Sequence, residues 1–158
     1  MLDNLFFTIK ENVRLLIGAI VVIFVLLLLL AFFLSTRTTK VIVNNQTFKV
    51  MVAKSDKDKQ VGLSKKNKIA DDQGMLFVFK DPDYYSFWMK EMRFPIDIIY
   101  IKGGIVTTVI KNAQIPDESN NLPIYQPTEK SDKVLEINSG LSEKYNIKKG
   151  SSVKIENL

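Results

Sequence analysis

Ile96-Asp97-Ile98-Ile99-Tyr100-Ile101-Lys102-Gly103-Gly104-Ile105-Val106-Thr107-Thr108-Val109-Ile110 is the stretch that decides the fold. Successive side chains of a strand point to opposite faces. Ile96, Ile98 and Tyr100 therefore share one face, and Asp97, Ile99 and Ile101 share the other. Both faces are apolar, which predicts a strand in the middle of a sheet. Gly103-Gly104 then turns the chain into a second strand, Ile105 to Ile110.

The same period recurs on either side. Val41 to Val43 and Thr47 to Val52 read as a hairpin, with Asn44-Asn45-Gln46 supplying the turn. Ser55-Asp56-Lys57-Asp58 resembles a capping box and predicts a short helix up to a C-cap at Gly62. Asp71 to Gly74 is a turn, Met75 to Phe79 an almost wholly apolar strand, and Lys80 to Asp83 a second turn. Tyr84 to Lys90 follows as a strand. Lys111 to Gln126, with Pro116 and Pro123, reads as loop, Lys133 to Asn138 as strand, Leu141 to Tyr145 as a short helix and Ser151 to Glu156 as a last strand. Many short strands, tight turns and scraps of helix predict a mainly β domain, a compact antiparallel sandwich or small barrel with one or two short helices.

One segment has a different character. Leu15 to Leu34 is twenty residues without charge or hydroxyl, seventeen of them Leu, Ile, Val or Phe. A helix of this length spans roughly 30 Å, the hydrocarbon thickness of a bilayer. At about −0.3 to −0.6 kcal/mol for each such residue, insertion is favoured by roughly 5 to 10 kcal/mol. A cleaved signal peptide has a shorter apolar core and a small-residue cleavage site, whereas this run ends in Phe32-Phe33-Leu34-Ser35-Thr36-Arg37. The expected division is an N-terminal cytoplasmic tail at 1–14, a transmembrane helix at 15–36, a linker at 37–40 and a β-rich domain at 41–158. Lys10 and Arg14 before the run balance Arg37 and Lys40 after it, so the flanking charges do not fix the orientation. Long C-terminal domains translocate largely regardless of charge, which places this one outside. The short linker keeps it close to the bilayer surface.

From Arg37 onward the chain has 20 basic and 15 acidic residues, enough net charge for attraction to anionic headgroups. The lysines are scattered, and a solvated surface is the plainer reading. No basic stripe is interleaved with aromatics, so nucleic acid is not an expected partner. The chain has no cysteine and no histidine. That excludes disulfides, thiol nucleophiles, Ser-His-Asp triads and imidazole metal ligation. Carboxylate, lysine and hydroxyl remain for chemistry. Asp81-Pro82-Asp83 and Asp71-Asp72 lack calcium-loop spacing, and Ser64 beside Lys65 and Lys66 is adjacency without geometry. No metal and no cofactor is expected.

Asp97 stands out because a buried carboxylate is costly unless paired or hydrogen-bonded. Lys90, Arg93 or backbone amides near Pro95 are its expected partners, tying down the loop Glu91 to Pro95. Trp88 beside Lys90 suits the wall of a ligand pocket, although a lone tryptophan is more often core. Glu136 shares a face with Val134 and is expected to face solvent.

Gly74-Met75-Leu76-Phe77-Val78-Phe79, then Ser86-Phe87-Trp88-Met89-Lys90 and Phe94-Pro95-Ile96-Asp97-Ile98-Ile99, resemble the domain-of-unknown-function 192 family. Gly62-Leu63, Pro123, Tyr125, Val134-Leu135-Glu136, Gly140 and Ile147-Lys148-Lys149-Gly150 extend the resemblance over roughly Val41 to Ile155. The family often reads W-M-K-N-T where this chain has Glu91-Met92, and often has Met where this chain has Ser64. The resemblance implies a compact β-rich prokaryotic domain, commonly exported or anchored, with no established activity. It implies Lys90, Asp97 and Glu136 as the polar site positions, with Trp88 and Tyr125 as aromatic neighbours.

The reading that follows is a membrane-anchored module at the cell envelope, binding a small ligand or an envelope component through Trp88, Lys90, Asp97, Tyr125 and Glu136. The competing readings are a structural envelope protein and a hydrolase using Asp97 or Glu136 with Lys90.

Overall fold

The computed structural model describes residues 2–35, 38–116 and 122–158. The chain divides into two units, one built on the N-terminal helix and one running from Thr38 to Leu158. Helix α1 spans Leu2–Ser35, so the residues expected as a tail continue the helix. Its segment Asn12–Phe32 is long and apolar enough to cross a membrane. Residues 36–37 of the expected span and linker, and residues 117–121 of the expected loop, lie outside the described residues.

The second unit is mainly β. Strands β1 (Lys40–Val43), β2 (Gln46–Ala53), β3 (Gln73–Asp83), β5 (Ile96–Lys102), β6 (Ile105–Ala113), β8 (Ser131–Asn138) and β9 (Val153–Glu156) form one sheet in the order β6-β5-β8-β3-β2-β1-β9. Strands β4 (Phe87–Trp88) and β7 (Ile124–Tyr125) form a separate ribbon. The long sheet curls into a half-barrel. Its first and last strands approach at one end, where Ile105 bridges Ser152 and the Val153 amide donates to the Gly104 carbonyl at 2.8 Å.

Local chemistry accounts for the turns and caps. Asn44 and Asn45 have φ of 49° and 66°, the left-handed pair a two-residue hairpin turn requires, and Asn tolerates it. The Ser55 hydroxyl accepts from the Asp58 amide at 3.1 Å and caps α2 (Asp56–Val61), which ends at Gly62 as its sequence suggests. Two departures concern length. The expected turn Lys80 to Asp83 belongs to β3, because Pro82 interrupts pairing with β8 without ending the extended backbone. The expected strand Tyr84 to Lys90 shrinks to Phe87–Trp88, because β7 offers it only two partners. The expected loop Lys111 to Gln126 likewise gives up its first three residues to β6 and Ile124–Tyr125 to β7.

One departure concerns direction. Strands β2 and β3 are parallel, where an all-antiparallel sheet was expected. Parallel neighbours need a crossover, and residues 54–72 with α2 provide it.

Two cores lie on the two faces of the sheet. Ile99, Ile101, Leu135 and Ile137 join Phe48, Val41 and Val153 inside the curl, where α3 (Leu141–Lys144) contributes Leu141. Ile96, Ile98, Tyr100, Met75, Phe77 and Val134 form the other core. The alternation read in Ile96–Ile101 is the division between these cores. The α2 crossover contributes Leu63 and the segment after β3 contributes Phe87, Met89 and Met92 to the second core.

Candidate functional site

Asp97 and Glu136 both sit on interior strands, and the register decides what each meets. Strand β8 lies between β5 and β3, so Glu136 is flanked by Ile98 on one side and Met75 on the other. Apolar neighbours on both strands leave it 5% exposed. Glu136 therefore does not face bulk solvent as expected, because Leu63 of the α2 crossover and Phe87, Met89 and Met92 of the segment after β3 pack on its side of the sheet. Its Oε2 has no hydrogen-bond partner among the described residues. Burial pushes its carboxyl up to about 8, since desolvation disfavours the charged form.

Glu136 lines a cleft of about 410 Å³ on the second core's side of the sheet. Phe77, Phe87 and Trp88 contribute aromatic wall, and Phe79 stacks on Tyr85 with ring centres 3.5 Å apart along another side. Two cations border the cleft. Lys59 of α2 places Nζ 4.7 Å from the Phe79 ring centre, and Lys90 places Nζ 5.7 Å from that of Trp88. Lys59 has an ion-pair partner in Asp56 at 4.0 Å, while Lys90 has none among the described residues. Such a volume, an apolar lining and a few convergent polar groups are what small-molecule sites require.

Of the residues picked out in the sequence, Trp88, Lys90 and Glu136 thus line one cleft, and Asp97 and Tyr125 are elsewhere. Trp88 is 58% exposed and does not serve as core. Asp97 is fully buried, and its partners are not Lys90, Arg93 or the loop before Pro95. Its Oδ1 accepts from the Asn112 amide and its Oδ2 from the Ser142 amide, both at 2.8 Å. Ser142 belongs to the first turn of α3, whose N-cap Gly140 has no side chain to cap with. Asp97 supplies that cap from β5. Both oxygens are engaged in holding the fold.

Tyr125 is also structural in its contacts. Its carbonyl accepts from the Tyr100 hydroxyl at 3.2 Å, and its own hydroxyl accepts from the Gln114 amide at 3.2 Å. Lys59, Phe79 and Tyr85 went unnoticed in the sequence. The capping box announces α2 but not the surface to which it brings Lys59. Ser64 also lines the cleft, and its hydroxyl donates to the Val61 carbonyl at 2.7 Å. Among the described residues no three acidic side chains gather as a cation site.

The domain matches, over residues 39–155, the family described as an uncharacterized ACR, domain of unknown function 192. It is similar to the crystal structure of a protein of unknown function from Novosphingobium aromaticivorans DSM 12444. That similarity has 27% identity and a TM-score of 0.66, covering 74% of this chain and 83% of the other. It is also similar to a protein from Sinorhizobium meliloti 1021 provisionally described as a transcription regulator. There the identity is 26% and the TM-score 0.67, covering 76% of this chain and 93% of that one. No curated protein matches the chain.

Proposed function

Since the chain belongs to the domain-of-unknown-function 192 family, a membership that assigns no activity, we propose from its geometry a membrane-anchored binding module whose ligand occupies the cleft at Glu136. In this reading α1 is a single-pass anchor with its N-terminal end in the cytoplasm, and the β domain lies outside, at the cell envelope. The carrying observation is the carboxyl itself. A 95% buried glutamate whose Oε2 lacks a partner among the described residues destabilises the fold unless something else satisfies it. Glu136 lines the cleft, which gives a ligand a place beside that carboxyl and favours binding over a purely structural part.

Trp88 is the only tryptophan in the chain and lines the cleft, so its fluorescence reports occupancy. Envelope sugars, peptides, amino acids and lipid headgroups titrated into the detergent-solubilised protein are expected to give a saturable change for at least one class. Glu136→Leu, which fills the floor with an apolar side chain, is expected to abolish it. No saturable change with any class would contradict the binding role. Protease added to spheroplasts is expected to degrade the domain, and full protection would contradict its placement outside.

The hydrolase reading keeps one supporting observation. A carboxyl pushed up to about 8 suits general acid–base work near neutral pH, with Lys90 or Lys59 beside it to stabilise negative charge. Without Asp97 that reading rests on Glu136 alone, and it requires chemical turnover of the bound ligand that Glu136→Gln removes.

A further inference from the structure

We propose that the cleft takes a small zwitterionic primary amine, with its ammonium against the Glu136 carboxylate, its anionic group toward Lys59 and Lys90, and its apolar part against Phe87 and Trp88. The inference rests on the binding role above and adds the chemical class of the ligand. Three features of the cleft select it.

The first is the floor. The unpartnered Oε2 of Glu136 asks for a donor. A hydroxyl or water can donate, but neither brings the opposite charge that stabilises a desolvated carboxylate. An ammonium does both, through a charge-assisted hydrogen bond. The second is the border. Lys90 has no ion pair among the described residues, and Lys59 has only the largely exposed Asp56 at 4.0 Å. These two cations ask for an anion, and they would repel a ligand that carries only positive charge. Once Glu136 is ionised, a ligand carrying only negative charge would meet a like charge there, and a neutral polyol would leave both signs uncompensated. The third is the aromatic lining of Phe77, Phe87 and Trp88, which accepts an apolar side chain or methylene segment without polar contacts.

Ionisation of Glu136 then accompanies binding. The charged and titratable groups around it are Asp56 and Lys59 on α2, Tyr85 and Lys90 on the segment around β4, and Tyr100 on β5. The Tyr100 phenol is held above its usual value by burial and by Glu136. Glu136 is thus the group that changes charge near pH 8, and a cationic ligand must displace its proton below that pH.

The test uses the full chain in detergent micelles, read by Trp88 fluorescence and calorimetry. The probes are the common amino acids, O-phosphoethanolamine, the amine-only and acid-only analogues of leucine (3-methylbutylamine and 4-methylpentanoate), and methyl α-glucoside. The expected result is that an amino acid or O-phosphoethanolamine binds at least about tenfold more tightly than the single-charge probes. Which of the two binds separates a peptide-derived ligand from a lipid headgroup. Its affinity should rise by close to tenfold per pH unit from about pH 6 to about pH 8 in the wild type. Glu136→Gln should lose the binding and the pH dependence together, and Lys90→Met should weaken the zwitterion more than the amine-only analogue. Tighter binding of methyl α-glucoside or of a single-charge probe would overturn the zwitterion class while leaving the cleft as a binding site. Absence of binding by every probe would overturn both.

Discussion

Asp97 leaves β5 toward the inside of the curl, and both of its oxygens end on backbone amides. Glu136, on the neighbouring strand, leaves toward the opposite face, and one of its oxygens ends on nothing among the described residues. Two buried carboxylates thus have opposite meanings. Removing Asp97 strands the amides of Asn112 and Ser142, each at a cost of about 1 to 3 kcal/mol. Asp97→Ala is therefore expected to lower unfolding stability by about 3 kcal/mol or more in a denaturant melt. A loss under about 0.5 kcal/mol, the usual range for an inconsequential surface change, would show that the two amides find other partners. The difference between the two acids was only partly legible in the sequence. The face each occupies followed from alternation, but the partners of Asp97 lie fifteen and forty-five residues away and carry no local mark. The burial of Glu136 follows from the α2 crossover and the segment after β3 packing over its face of the sheet, a placement that alternation does not encode.

At the scale of elements, the segment between β3 and β5 explains a departure of this chain from its relatives. Glu91, where the family often has Asn, adopts φ of 58°. Asn tolerates that left-handed region, whereas a residue with a longer side chain is disfavoured there by about 1 kcal/mol. Glu91 does face Lys65 at 3.8 Å, but both are exposed and such pairs contribute little. Backbone relief outweighs the ion pair, so Glu91→Asn is expected to stabilise the domain by about 0.5 to 1 kcal/mol, read as a rise in Tm. A fall in Tm would mean that the Lys65 pair outweighs the strain. The elements that were legible are those whose signals are local: the hairpin at Asn44-Asn45, the Ser55 cap and the turn at Gly103-Gly104. The parallel pairing of β2 with β3 and the brevity of β4 were not, because both depend on which distant segment supplies the partner. The resemblance groups Trp88, Lys90 and Glu136, but no local signal does, because their meeting needs β8 placed centrally and the segment after β3 folded over it.

At the scale of the molecule, an apolar helix and a basic β domain with a charged, aromatic cleft make up one chain. The domain carries Glu136 at a standing cost that the whole fold registers as pH-dependent stability. Glu136 titrates near 8 in the fold and near its ordinary 4.5 in the unfolded chain. Below about pH 4.5 both states hold the proton and the fold loses nothing. Between there and about pH 8 the unfolded chain releases the proton while the fold keeps it, so stability falls as pH rises and the loss is complete above about 8. A shift of that size amounts to on the order of 5 kcal/mol. Asp72 and Glu156, held low by hydrogen bonds from Lys49 and Lys154, act at lower pH and in the opposite direction. They are common to wild type and Glu136→Gln and cancel in the difference between them. The decisive measurement is that difference, from denaturant melts of both full-length proteins between about pH 5 and about pH 9 without added ligand. An uncompensated buried carboxyl predicts that Glu136→Gln gains on the wild type steadily, by a few kcal/mol, until about pH 8. A difference that stays constant across the range would mean that Glu136 ionises as freely in the fold as in the unfolded chain, and would contradict the account.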